Sequence, residues 1–301
     1  MDRVVGAPAL VEYGGPGELP ATTLRTITMA AGSDSVIRRH PAAAYFALTF
    51  TISWLGALAV ASPHLLRHQP LPKMTGILMF PAMLLGPSIS GVLLTRIFDG
   101  PQGLRDLFER MRRVRVGARW YAALLLPPIL VASVLLCLKT FVSPVFAPGN
   151  FWIGILFGCP AGFFEEIGWT GLAFPKLTRS LSPLLAAILL GLLWGLWHIP
   201  VIDYLGTSTP HREYWLPYFV AFTLAMTAMR VLISWIYSNT GSVVLAQLMH
   251  VSSTGALVIF SPPRVTATQE TLWYFVYAFA LWGTVAVVVR ISGRALSLAT
   301  A

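Results

Sequence analysis

Long apolar runs organise this chain from residue 42 onward. They fall at 42–62, 76–97, 120–142, 151–172, 184–205, 216–237, 240–260 and 271–291. Each is about 20 residues, the length at which a helix crosses a ~30 Å hydrocarbon core. Apolar positions fill whole runs rather than forming a stripe every third or fourth residue, which makes lipid the surrounding solvent. The pattern predicts an all-α polytopic membrane helix bundle of about eight transmembrane helices over residues 41–295. A short tail follows at 296–301, and no internal repeat or second soluble domain is evident.

Two stretches break the pattern. Residues 1–40 are rich in Gly, Pro, Thr and Ala and carry no apolar core of signal-peptide length. They read as a disordered cytoplasmic tail, and Met29 is an alternative translation start. Residues 98–119 place Leu104, Leu107, Phe108 and Met111 at helical spacing among charged positions. This predicts a short amphipathic helix anchored on the inner membrane surface, where basic groups meet anionic lipid.

Composition narrows the class. The chain of 301 residues is 56% hydrophobic and 11% charged, too little polar surface for a soluble domain of this length. A net charge of +9 raises nucleic acid as a partner, but the basic residues cluster between apolar runs. Arg38, Arg39, Arg105, Arg110, Arg112, Arg113, Arg115, Arg119, Lys176, Arg179, Arg290 and Arg294 all fall on one face if there are eight spans. Arg67 and Lys73 are the exception. The positive-inside rule then makes that face cytoplasmic, with both termini there, in a cell membrane. The partner this implies is the lipid bilayer, with no nucleic acid. Cys137 and Cys159 sit in apolar stretches without CxxC spacing, which favours a packing role over a disulfide.

Candidate chemistry comes from residues that hydrocarbon disfavours, at ~2.5–3.5 kcal/mol each on insertion scales. Glu165 and Glu166 lie in FGCPAGFFEEIGWTGLAFPKL, His198 ends LLGLLWGLWHIP, and His250 lies in SVVLAQLMHVSSTGALVIF. Neighbouring helical residues point about 100° apart, so the two carboxylates take different jobs. His198 follows Trp194 and Trp197, which also fits an interfacial aromatic belt. Gln247, Ser253 and Thr254 share the His250 face, which also fits a helix–helix hydrogen-bond seam. Together the set offers a carboxylate base and two imidazoles. It can activate a water for attack on a carbonyl, hold a zinc ion through Glu165, His198 and His250, or relay protons in a transporter.

These motifs resemble the family of CAAX prenyl endopeptidases and bacteriocin-processing or immunity proteins (CPBP). The family pattern EExxxR is matched by Glu165 through Thr170, FxxxH by Trp194 through His198, and a His followed four residues on by Asn by His250 and Thr254. The resemblance covers about residues 42–295 and includes GPSISGVLLTRIFDGPQGLRDLFERMRR. It implies an intramembrane endopeptidase in which Glu165 activates water with help from His198. His250 would bind or polarise the scissile carbonyl, and Glu166 would support them. The family is commonly labelled metalloprotease, so zinc and a peptide or protein substrate are implied with it. Three positions depart from the pattern. Thr170 stands where the family has Arg, which leaves Glu166 either protonated or paired with another cation. Thr254 stands for Asn with a shorter donor, and Trp194 replaces Phe. The rival readings are a non-catalytic scaffold of the same family acting in peptide binding or immunity, and a proton-coupled transporter. Neither the inverted repeats nor the broken helices of transporters are apparent.

Overall fold

A computed structural model describes residues 37–298. The chain divides into two compact units, Met1–His40 and Pro41–Ala301. In the first, 37–39 are helical, and the tail reading of the remainder and the Met29 start lie outside the described residues.

The second unit is helical throughout its ordered elements. It runs α1 (Pro41–Leu65), α2 (Lys73–Met111), α3 (Ala118–Ala123), α4 (Leu126–Phe141), α5 (Gly154–Pro160), α6 (Glu166–Gly168) and α7 (Phe174–Leu177). It continues with α8 (Pro183–Trp197), α9 (Trp215–Thr240), α10 (Val243–Ile259) and α11 (Ala267–Ser292). Pro41–Leu65, Lys73–Met111, Ala118–Phe141, Arg212–Thr240 and Ala267–Ser292 are long and apolar enough to span a membrane, and α8 and α10 are shorter apolar helices. All eight apolar runs therefore fall in helical segments of a polytopic bundle. Leu85, Leu136 and Phe279 are exposed on its outside, as a lipid-facing surface requires.

Three details differ from the sequence expectation. The fifth run stops being α-helical at Trp197, because Pro200 lies three residues on and the chain tightens into a 3₁₀ segment, Ile199–Tyr204. The amphipathic segment is not a separate surface helix. It continues α2 beyond a bend at Gly100 (φ 70), docks Leu107 into the core, and ends at Met111. Cys137 and Cys159 are free and exposed rather than packed, because each falls on the outer face of its helix.

Among the five spanning segments the most buried is the one that holds α9. The apolar window of the span ending at Thr240 is 72% buried, against 22% for Pro41–Leu65, so α9 is the post around which the others stand. Its link to α10 is two residues long. Gly241 closes α9 in the left-handed conformation (φ 59) and donates to the Tyr237 carbonyl. Ser242 then caps α10 by accepting from the Leu245 amide. The tight turn sets Arg230, about three turns before it, near His250, about two turns after it.

Candidate active site

The segment expected as a continuous fourth helix is interrupted. Between α5 and α7 it widens into π turns at Ala161–Glu165 and Trp169–Ala173, with α6 between them. A π turn takes backbone carbonyls out of the regular ladder, and in a membrane those groups need new partners. Neighbouring helices supply them. Gln247 Nε2 donates to the Phe163 carbonyl at 2.9 Å and Ser88 Oγ to the Phe164 carbonyl at 3.0 Å. Arg110 Nη2, on the docked end of α2, donates to the Gly171 carbonyl at 3.0 Å. Gly158 and Gly162 let the segment press against α10: a Cβ on Gly162 would lie 2.5 Å from the Gln247 carbonyl oxygen, and one on Gly158 2.8 Å from that of Val251. Gln247, placed in the polar stripe of His250 by its spacing, thus serves the backbone of the glutamate helix.

This distortion aims the paired carboxylates at different partners. Glu165 Oε2 accepts from Trp194 Nε1 at 2.7 Å and Trp169 Nε1 at 3.2 Å. Two indole N–H groups hold one oxygen and leave the other available. Glu166 is saturated. Arg230 grips it with both nitrogens of its fork, Nη2 to Oε1 at 2.7 Å and Nη1 to Oε2 at 2.8 Å. The Thr170 hydroxyl donates to Oε2, and His250 Nδ1 meets Oε1 at 2.8 Å.

The histidines are oriented by their partners. Nδ1 of His250 faces a carboxylate and Nδ1 of His198 faces the Trp194 carbonyl at 2.8 Å. Both partners only accept, so both Nδ1 atoms carry hydrogen and each neutral ring keeps Nε2 as its free lone pair. Trp194 stands between them, edge-on to His250 (ring centroids 5.0 Å) and to His198 (5.7 Å).

Glu165, Trp194, His198, His250 and Thr254 all line one cavity with ≈ 80 Å³ of water-sized space, walled otherwise by apolar and aromatic side chains such as Met83 and Phe222. Glu166 and Thr170 do not line it. They lie behind it with Arg230, the first residue of the cluster that spacing did not single out. A lone Arg in the run WLPYFVAFTLAMTAMRVLISWIY was a signal of the same kind as the glutamates. It is 0% exposed, and it answers the question that Thr170 raised: the Glu166 carboxylate is paired, with a cation from another helix. Glu165, Glu166, His198 and His250 thus gather in one region. Zinc is a different matter. Among the described residues no three His, Cys, Asp or Glu side chains are grouped to hold a metal ion. Nδ1 of His250 and one oxygen of Glu165 are committed to protein partners, so the atoms left to face an ion would be the other Glu165 oxygen and Nε2 of His198 and His250.

A glutamate and two histidines lining one cavity, with a second glutamate paired behind it, define a class of helical intramembrane protein. A family model described as Type II CAAX prenyl endopeptidase Rce1-like matches residues 147–256, from just before α5 to near the end of α10. The chain is also 26% identical over 243 residues to CAAX prenyl protease 2 of Methanococcus maripaludis, covering 75% of this chain and 86% of that protein. Both matches are to CAAX-type prenyl endopeptidases, in line with the resemblance carried by the motifs, and support a CAAX-type intramembrane protease.

Proposed function

We propose that the chain is an intramembrane endopeptidase that hydrolyses a peptide bond with water activated by Glu165. The observation that carries this reading is the shared cavity: a carboxylate held by two indole N–H groups, with His198 and His250, in a pocket otherwise closed by apolar walls. The free Glu165 oxygen takes a proton from a water positioned with the help of His198 Nε2, and the oxygen of that water bonds to the scissile carbonyl carbon. His250 keeps Nδ1–H on Glu166, takes up a proton from solvent at Nε2 as substrate binds, and offers that N–H to the carbonyl oxygen as negative charge develops there. Collapse breaks the C–N bond, and Glu165 returns its proton to the departing amine. No step passes through a metal. The site is set in a cell membrane with the Arg-rich 105–119 stretch facing the cytoplasm, the side that positive charge favours.

The substrate class follows the relative, whose name makes it a CAAX prenyl protease. Purified full-length protein in nanodiscs is therefore assayed on a farnesylated CAAX peptide and on its unprenylated form. Cleavage by the wild type that falls by at least about 10²-fold in Glu165→Gln, the scale of a lost general base, supports the reading. Equal turnover by Glu165→Gln ends it. Binding without cleavage by the wild type favours the peptide-binding scaffold instead. A chelator arm addresses zinc: activity is expected to survive 1,10-phenanthroline, and reversible loss restored by zinc overturns the metal-free mechanism.

A further inference from the structure

We propose that Arg230 is a positioning residue of this site: one guanidinium on α9 orients both carboxylates and, through Glu166, the His250 ring. It thereby takes over from α9 the place left open at Thr170. The inference rests on reading the cavity as a hydrolytic centre.

Three observations carry it. The contact with Glu166 uses both arms of the fork, at 2.7 and 2.8 Å, a bidentate geometry that fixes the carboxylate plane as a single contact cannot. Oε1, which takes Arg230 Nη2, also takes His250 Nδ1. The direction in which the guanidinium holds Glu166 is therefore the direction in which the imidazole is held.

The second link runs through Trp194. Arg230 Cζ lies 4.5 Å from the Trp194 ring centroid, within cation–π range. The edge of that same indole donates to Glu165 at 2.7 Å. One side chain is thus tied to Glu166 by charge and to Glu165 by stacking, and it touches neither the cavity nor any substrate within it.

The third observation is room. Thr170 is one turn beyond Glu166, and its Oγ1 is 3.5 Å from Arg230 Nη1, so the short side chain leaves the pocket open to a cation from across the helix interface. Gly191 brings α8 and α9 together there: a Cβ on it would lie 2.6 Å from the Thr227 Cα and 3.1 Å from the Arg230 Cβ. Sequence at three places, Thr170, Gly191 and Arg230, agrees on one arrangement.

The test uses full-length protein in nanodiscs with ¹⁵N-labelled histidine, the farnesylated CAAX peptide as substrate, and His250→Asn to assign the His250 signals. Arg230→Ala is expected to lower kcat by about 10–100-fold with KM nearly unchanged, the scale at which groups that orient catalytic ligands act. Its His250 spectrum should change from one tautomer, protonated at Nδ1, to a mixture. Adding Thr170→Arg, which reaches Glu166 from the same helix, should restore the single tautomer and recover at least about 10-fold of the lost kcat. Arg230→Lys keeps the charge without the fork and should fall between wild type and Arg230→Ala. Unchanged kcat and an unchanged His250 spectrum in folded Arg230→Ala overturn the proposal, as does loss of activity with an unchanged spectrum and no recovery by Thr170→Arg. If Arg230→Ala gives no monodisperse protein, Arg230→Lys decides by the same two readouts. If the wild type cleaves neither peptide, the hydrolase reading fails, while the His250 spectra still decide whether Arg230 orients the ring.

Discussion

Glu166 and Glu270 are both wholly buried, yet they are held in different ways. Glu166 sits among membrane helices and faces a guanidinium, a threonine hydroxyl and an imidazole. Glu270 lies in the first turn of α11 and is wrapped by the segment that joins α8 to α9. The Thr207 amide donates to its Oε1 at 2.8 Å and the Ser208 amide to its Oε2 at 2.7 Å. Gly206 permits that approach, because a Cβ there would lie 2.6 Å from Oε1. His211 completes the enclosure, with Nε2 3.3 Å from Glu270, Nδ1 2.9 Å from Asp203, and its ring stacked on Tyr218 at 3.8 Å. Deep in the bundle the counter-charge is a guanidinium that grips the carboxylate with both arms of its fork. At the connecting strap, backbone amides and an imidazole take that place. The strap also carries Val201 and Leu205 into the cavity wall, so one cluster borders the cavity that the other lies behind.

Breaking the Glu166 cluster should have the largest effect. Arg230→Met keeps much of the side-chain bulk but leaves Glu166 as an uncompensated buried charge, which is expected to destabilise the protein by about 3–5 kcal/mol. Thermal or denaturant unfolding in detergent measures it. The charge-neutral pair Glu166→Gln with Arg230→Met should recover a large part of that loss. If the single and double variants unfold together, the arginine is not there for the carboxylate.

Glu270→Gln is the matching change at the strap. It turns one acceptor oxygen into a donor facing a backbone amide, for an expected loss of about 1–3 kcal/mol. The readout is faster hydrogen exchange at Thr207 and Ser208, with little change in the bundle helices. Exchange that rises equally in α9 would erase the distinction between the two clusters.

The smallest effect is a pH dependence confined to the strap. Burial pulls the His211 imidazole down, but hydrogen bonds and charge from Glu270 and Asp203 outweigh it and hold the ring above its ordinary value. A raised folded-state value gives stability that is complete below the unfolded value of about 6.5 and is lost as pH rises through the folded one. Protection of the Thr207 and Ser208 amides, corrected for intrinsic exchange, should therefore weaken as pH rises through that window. His211→Asn should abolish the step. A step that survives the substitution belongs to Asp203 or Glu270, the carboxylates that face the ring.

The sequence alone determined the class of the molecule and most of the polar side chains that line the cavity. Run length and the penalty for charge in hydrocarbon are local properties, so eight apolar runs marked helical segments and the misplaced Glu165, Glu166, His198 and His250 marked the residues that gather at and behind the cavity. The motif spacing added Trp194 and Thr254, which line the same cavity. Arg230 was legible by the same penalty, but its partner was not, because Glu166 is 64 positions away in the chain. Only the tertiary structure decided that pairing, along with the π turns of the glutamate helix and the wrapping of Glu270. Each depends on groups brought together from different helices: a carbonyl freed at Phe163 is tolerable because Gln247 reaches it, and a cation at 230 is tolerable because Glu166 meets it from another helix. Periodicity describes what one segment buries, whereas the match between a freed or charged group and its partner arises when the segments pack.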